Sequence, residues 1–295
     1  MNKKGIEFAW IFAIIIGSLI LFLAFYFISS QLFLKEKAET GEKAHSLDIL
    51  LNPFSFLGAI GAVTAKSIEL GRAVNLTFEC YYEENFGKNV IIIDSGIPRS
   101  VYDKYIFAED FKEKKIQVIS KPLKMPWRIA DLVYVFPSRT EYCFINFPTK
   151  LREELRMLNV SNIKLSDNIR NCKEDSIKVC FELENEKCNV TISGEEIKKN
   201  RETMYFAGND ALMLAAIFSK NKNYYNCNLK RIFARLKTQV EVYKEKQRKM
   251  RCRSYVNLEN LINAIPENIN RNTMNVMKNA AMQIENQNSH ECPLF

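Results

Sequence analysis

Histidine and glycine are both scarce in this chain of 295 residues, and each shortage argues against particular kinds of active or binding site. The two histidines, His45 and His290, stand far apart, so a Ser-His-Asp or Cys-His catalytic arrangement has little to be built from. Glycine occurs 10 times, about half of its usual share of roughly 7%. No glycine-rich phosphate loop or dinucleotide-binding fingerprint occurs. We therefore predict no catalytic residue, no metal ligand and no cofactor from the sequence.

The cysteines do not have the spacing of a metal site. No two of them form a Cys-x-x-Cys pair, and two histidines are too few for the usual zinc sites. An even number of cysteines without such spacing indicates disulfide bonds in an oxidising compartment. The alternative is a reduced domain with buried, inert thiols. The eight cysteines are Cys80, Cys143, Cys172, Cys180, Cys188, Cys227, Cys252 and Cys292.

One disulfide is suggested by a predicted hairpin. Residues 176–194, SIKVCFELENEKCNVTISG, read as two strands that turn near Asn185. Cys180 and Cys188 would then face each other at disulfide distance, although Cys172 competes as the partner of either.

A second disulfide is suggested near the C-terminus. Cys252 and Cys292 each follow a predicted helix, so these two could meet if the helices pack together. Cys227 cannot bond Cys252 on one continuous helix, because 25 residues span about 37 Å and a disulfide needs Cα atoms within about 7 Å.

An uncharged run lies near the N-terminus. Phe8 to Ile28 contain 21 residues without Asp, Glu, Lys or Arg. A helix of that length measures about 31 Å, against a hydrocarbon core of about 30 Å. The run exceeds the apolar region of a removable signal, about 7–15 residues, and a cut after Ser30 would place Ile28 at a position that favours small residues. We predict an anchor that stays in the mature chain.

The orientation of this anchor is not decided by flanking basic residues, because their numbers on the two sides are equal. All eight cysteines follow the anchor, which favours an extracytoplasmic ectodomain on the cell membrane. Three acceptor patterns for N-glycosylation point the same way. They are Asn75-Leu-Thr, Asn159-Val-Ser and Asn189-Val-Thr.

The N-terminus also resembles the class III signal of type IV pilins and their archaeal relatives. Lys3-Lys4-Gly5 precedes a long apolar helix, and the resemblance implies a cut after Gly5. Bacterial members carry a glutamate five residues into the mature chain, whereas Glu7 lies only two residues in. A pilin-like filament or secretion-system subunit is therefore an alternative to the anchor.

The remainder predicts an α+β ectodomain: anchor and stalk at 1–40, a mostly-β part at 46–207, and a helical part at 208–295 packed on it. Residues 74–94 read as a β-hairpin, with further strands at 114–120, 132–136 and 141–147. Asn209 or Asp210 should cap a buried helix. A long helix follows from about Tyr224 to Arg251, because apolar residues recur there at three- and four-residue spacing.

Basic residues are concentrated on this long helix, in a chain whose net charge is +8. An outward basic face would gather an anionic glycan, an anionic lipid or an acidic protein partner, whereas an extracytoplasmic location disfavours nucleic acid. The alternative is a solvated helix face. The predicted face comprises Arg231, Arg235, Lys244, Lys246, Arg248 and Lys249.

One short motif keeps an enzyme among the alternatives. VIIIDSG, ending in Asp94-Ser95-Gly96, is similar to the Asp-Ser-Gly of aspartic proteases, which need two such carboxylates. The chain holds one copy, and a strand ending in a turn explains it as well.

A further resemblance covers most of the ectodomain. YFAGNDALMLAAIFS, YNCNLKRIFARLK, Cys292-Pro293 and ISKPLKMPWRIADLVYVF are similar to an uncharacterised family of single-pass membrane proteins from small-genome archaea. The resemblance implies an anchored envelope protein and carries no site. We predict a membrane-anchored protein with a disulfide-bonded ectodomain and a structural or interaction role. The alternatives are the pilin-like subunit and a membrane-tethered extracytoplasmic enzyme.

Overall fold

The computed structural model describes residues 14–30, 63–83, 86–183, 187–250, 256–288 and 294–295. Residues 14–30 form a helix, α1. The predicted anchor, Phe8 to Ile28, begins before α1, and its residues 8–13 lie outside the described residues. Within these ranges, no helix reaches both the length and the apolar character that crossing a bilayer requires.

The first sheet contains six strands in the described part of the chain, in the order β3-β2-β1-β5-β6-β4. Its strands pair antiparallel, except that β4 lies parallel to β6. The predicted hairpin over 74–94 is confirmed, with Leu76 opposite Ile93. The strands are β1 (Thr64–Tyr81), β2 (Lys88–Ile93), β3 (Arg99–Val101), β4 (Tyr105–Ala108), β5 (Phe111–Lys124) and β6 (Arg128–Pro137).

Both faces of this sheet are buried at the parallel pair β4 and β6, which explains why these two strands read as nearly continuous apolar runs, whereas β1 alternates buried and exposed residues. Phe107 and Tyr134 belong to the main core, whereas their neighbours Ile106 and Val133 belong to a second apolar cluster. The sheet curls, so that edge strand β4 approaches β2 near the other edge. There the Asn89 side-chain oxygen accepts a hydrogen bond from the Ile106 backbone N–H at 3.2 Å.

The second sheet also has six strands among the described residues, in the order β12-β11-β10-β9-β7-β8. The four strands β8, β7, β9 and β10 run parallel, and β11 and β12 add antiparallel. They are β7 (Tyr142–Ile145), β8 (Ile163–Ser166), β9 (Ile177–Phe181), β10 (Val190–Ser193), β11 (Glu196–Lys199) and β12 (Glu202–Tyr205).

The hairpin predicted over 176–194 is wrong. Strands β9 and β10 pair in parallel, with Thr191 opposite Cys180. The chain between them returns to the start of β9, where the Lys178 backbone N–H donates to the Asn189 side-chain oxygen at 2.8 Å. Parallel neighbours normally need a crossover of a dozen or more residues, so two strands this close in sequence indicated a hairpin. The predicted turn at Asn185 lies outside the described residues.

Helix α3 joins the two sheets. Asn209 caps it as predicted, because its side-chain oxygen accepts from the Ala211 and Leu212 N–H groups at 3.0 and 3.3 Å. Every residue from Ala211 to Phe218 is buried, since the helix packs on both sheets. The helices after α1 are α2 (Thr149–Met157), α3 (Asp210–Phe218), α4 (Lys222–Met250), α5 (Leu258–Ala264) and α6 (Arg271–Gln287).

Disulfide bonds join all cysteines of the described ranges, as the even cysteine count predicted. Cys180 bonds Cys188, and Cys172, the competing partner, bonds Cys143 instead. The third bond, between Cys80 and Cys227, ties β1 to α4 across 147 residues. The predicted pair Cys252 and Cys292 lies outside the described residues.

Candidate binding surface along helix α4

The predicted basic face is wrong at Arg231. This side chain is fully buried rather than outward. The apolar residues Leu229 and Leu236 indicated only part of the surface of α4 that is buried in the fold. Residues of the first sheet and its loops cover the surface beside those residues, and Arg231 lies beneath them.

Arg231 is held by oxygen acceptors from four residues. Its Nε donates to the Phe86 carbonyl at 2.8 Å, and one Nη donates to the Tyr102 carbonyl at 2.9 Å. The other Nη donates to the side-chain oxygens of Asn89 and of Asn228, the latter at 3.0 Å. All these acceptors are carbonyl or amide oxygens rather than carboxylates. The guanidinium therefore fixes two loops against α4.

Burial also affects the ionisation of this side chain. It lowers the pKa of Arg231 to about 10, so the group remains charged at neutral pH. The cation lies 5.0 Å from the centroid of the Tyr105 ring, a cation–π geometry that partly replaces lost hydration.

The two loops fixed by Arg231 carry exposed aromatic side chains. Phe86 is 37% exposed and Tyr102 is 61% exposed, although their backbone carbonyls are tied down. Tyr82, 47% exposed, follows the disulfide between Cys80 and Cys227. Large exposed rings on a fixed backbone are typical of interaction sites rather than of solvated loops.

A groove of about 370 Å³ runs between these loops and α4. Arg235 lies half-buried in it, and its charge opposes the rise that burial causes in the pKa of Tyr105. We call this groove the aromatic groove. Its lining residues are Phe86, Gly87, Tyr102, Asp103, Tyr105, Arg235, Thr238, Gln239 and Val242.

A depression of about 350 Å³ continues the aromatic groove and shares Asp103, Arg235 and Gln239 with it. Arg128 and Asp131 also line it, but they neutralise each other through hydrogen bonds of 2.5, 2.7 and 3.1 Å. Arg235 and Asp103 are therefore the charges left to meet a ligand here.

A second groove, of about 470 Å³, flanks α4 on its other side. At 3.6 residues per turn, Lys230 and Lys237 lie on one side of the helix, whereas Arg235 and Val242 lie on the other. Both lysines are exposed, with Glu267 as the acidic residue among them. We call this the basic groove. It is lined by Tyr82, Lys230, Phe233, Ala234, Lys237, Ile265, Pro266 and Glu267.

Two later members of the predicted basic face, Lys244 and Lys246, are bound within the protein. Lys244 pairs with Glu259 and Glu241, and these hydrogen bonds raise its pKa. Lys246 donates to the Leu294 carbonyl. This part of α4 therefore has fewer free cations than the sequence indicated.

Arg248 and Lys249 remain more available. Both pair with Glu245, at 3.4 and 3.5 Å, yet their side chains are 71% and 77% exposed. Exposed pairs of this kind contribute about 0–1 kcal/mol, so an external anion can displace Glu245 at little cost.

Asp94 has a structural role. Its side-chain oxygens accept from the Asn75 backbone N–H at 2.8 Å and pair with Arg72 at 3.2 Å. A turn at the end of β2 therefore explains the Asp-Ser-Gly motif. No cluster of three or more His, Cys, Asp or Glu side chains suited to a metal occurs among the described residues.

The sequence did not single out the exposed aromatic residues. Tyr82 and Phe86 stand in a polar break between two strands, where rings are rarely needed for a core, and this was the available signal. What brings them beside Arg235 is long-range pairing, which local pattern does not reveal.

No protein-family model, curated protein or solved structure matches the chain.

Proposed function

We propose that this protein is an anchored protein of the cell envelope whose disulfide-bonded α+β domain binds an anionic glycan along α4. One observation carries the proposal. Exposed aromatic rings and available cations occur together on both sides of one helix: Tyr82 beside Lys230 and Lys237, and Tyr102 beside Arg235.

The chemistry of a glycan suits this combination. A sugar ring offers a face of C–H groups that packs on aromatic side chains, as the apolar part of a ligand does in most pockets. Its hydroxyls can bond to the Asp103 carboxylate, whereas the Gln239 amide is already held by Trp127 and the Ile129 carbonyl. Its acidic groups can pair with Arg235, whose planar guanidinium suits carboxylate and phosphate alike.

The exposed apolar surface of α1 supports the proposed anchor. The described turns of α1 expose their large apolar side chains, from Ile16 at 40% to Phe25 at 73%. Ser18 and Ser29 donate their hydroxyl hydrogens to the Ile15 and Tyr26 carbonyls, each at 2.9 Å. Such bonds satisfy hydroxyl groups where no water is present, as in hydrocarbon.

The proposed location outside the cytoplasm is supported by three disulfide bonds, which persist in oxidising compartments. Carbonate washing of native membranes, followed by N-terminal sequencing, tests the anchor. We expect the protein in the pellet, with Phe8–Ile28 intact. A terminus at Ile6 would indicate the pilin-like alternative, and soluble protein starting near Gln31 would exclude an anchor.

Binding is tested with the full chain in detergent micelles against acidic and neutral polysaccharides. Arg235→Gln should weaken binding of the acidic polymer about 10- to 100-fold, because a hydrogen bond to a charged group contributes about 1.5–3 kcal/mol. Tyr102→Ala should weaken acidic and neutral polymers alike. Arg170→Gln, an exposed cation far from α4 in sequence, is the matched control and should bind normally.

Other outcomes would replace the proposal. Binding to anionic vesicles without binding to polysaccharide would indicate a lipid headgroup as ligand. Capture of an acidic protein alone would indicate a protein partner. Shortening of the polysaccharide during incubation would indicate a tethered enzyme.

A further inference from the structure

The three acceptor patterns for N-glycosylation occupy different environments. Asn75 lies within β1, opposite Lys112 of β5, and its side-chain amide donates to the Asp94 carboxylate at 3.4 Å. Its partner hydroxyl, on Thr77, belongs to the same strand. Both groups lie on a strand held in the sheet, and the exposed Asn75 amide would have to leave Asp94 before a transferase could bind it.

The pattern at Asn189 is also held. The Asn189 side-chain oxygen accepts from the Lys178 N–H at 2.8 Å, and its own N–H donates to the Lys178 carbonyl at 2.9 Å. The hydroxyl two residues later belongs to Thr191 in β10, which lies between β9 and β11.

Asn159 differs from both. It lies in the turn between α2 and β8, with a φ of 47°, a left-handed conformation that asparagine tolerates better than most residues. The side chains of Asn159 and Ser161 are exposed and form no hydrogen bond within the described ranges. Between them, buried Val160 fixes the turn to the core. Amide and hydroxyl are thus presented together on the folded domain.

We infer that Asn159 is an N-glycosylation site, modified on the folded domain in preference to Asn75 and Asn189. This inference rests on the extracytoplasmic location proposed above. The donor is a lipid-linked oligosaccharide of the phosphate or pyrophosphate class. The Asn159 Nδ2 forms a bond to the anomeric carbon, the bond from that carbon to the phosphate oxygen breaks, and the lipid phosphate leaves. The amide loses one proton to a base of the transferase.

A glycan at this position has a structural consequence. Strand β8, which begins four residues later at Ile163, is an edge of the second sheet. Unprotected edges invite pairing with other chains, and natural proteins cover them. The glycan would shield this edge. No residue of α2 or β8 lines either groove, so the modification leaves the α4 surface open.

The test uses the full chain produced in its own cells. Protease added to intact cells first reports the side of the membrane on which the domain lies. Mass spectrometry of the purified protein then reads the peptide that contains Asn159. We expect a glycopeptide that disappears in Asn159→Gln and in Ser161→Ala. Ser161→Thr, which keeps the hydroxyl, should retain it, as should Asn75→Gln.

Each result has one interpretation. A domain protected from external protease would overturn the proposed location, and this inference with it. A domain that is digested from outside but carries an unmodified Asn159 would overturn this inference alone. Glycans on Asn75 or Asn189 at equal occupancy would overturn the preference derived from the fold.

Discussion

Replacing Arg231 should destabilise the domain more than replacing any other cation of the predicted basic face. Arg231→Ala leaves acceptors on Phe86, Asn89, Tyr102 and Asn228 without their donor. One unsatisfied buried polar group costs about 1–3 kcal/mol. Relief from burying a charge offsets part of that sum, as does water entering the vacated space. We expect a loss of about 3–5 kcal/mol in the free energy of unfolding, the range for breaking a buried charged interaction.

The measurement is urea unfolding of the full chain in micelles, with the disulfides intact. Arg231→Lys keeps the charge but not the planar fork of donors, so its loss should be smaller, about 1–3 kcal/mol. Arg248→Ala is the control: this side chain is 71% exposed, and a change within about 0.5 kcal/mol is expected.

Hydrogen exchange gives an independent readout of the same role. If Arg231 fixes the loops, Arg231→Lys should speed exchange of the amide protons near Phe86 and Tyr102 more than of those in α6. A stability of Arg231→Ala within 1 kcal/mol of wild type, with unchanged loop exchange, would refute the reasoning.

Three further predictions concern stability. Replacing Cys80 and Cys227 together by serine should cost about 5 kcal/mol in chemical unfolding, against about 2.5 kcal/mol for Cys180 and Cys188, because the first pair closes a far longer loop; equal losses would contradict the loop-length argument. Alkaline titration followed by tyrosinate absorbance should show cooperative unfolding above about pH 10. Burial raises the pKa of Tyr134, Tyr142, Tyr224 and Tyr225. The folded state therefore retains protons that the unfolded chain has lost, and its stability falls by up to about 1.4 kcal/mol per pH unit for each tyrosine. Arg231 and Lys199, whose pKa values burial lowers, act in the opposite sense, and Tyr225→Phe should flatten the slope; stepwise ionisation without unfolding would contradict this prediction. Asn209→Ala should lower the free energy of unfolding, measured by thermal unfolding, by about 1–2 kcal/mol through loss of the α3 cap. Asn209→Asp should keep most of the wild-type stability, because its carboxylate can accept the same hydrogen bonds.

Local chemistry made part of this fold predictable. The hairpin of β1 and β2 is bounded by a break rich in Asn and Gly, and α3 begins at an asparagine that caps it. Both signals act within a few residues.

Non-local pairing decided what the sequence did not reveal. The bond between Cys80 and Cys227 depends on α4 lying across β1, and Arg231 is buried because distant loops cover it. The parallel pairing of β9 and β10 ran against the usual rule for strands close in sequence. The aromatic groove inherits this dependence, since Tyr102 and Arg235 meet only after the first sheet has curled.

The position of α3 between the sheets constrains how the chain can be made and cut. Ala215 and Ala216 are fully buried, and small side chains let the helix lie close to both sheets. This helix follows all twelve strands of the described sheets in the chain, so during synthesis neither sheet can complete its inner face until residue 218 has emerged. Until then the nascent chain carries two open apolar faces, the kind of surface that recruits chaperones or aggregates. A fragment ending before Asp210 would keep those faces open permanently.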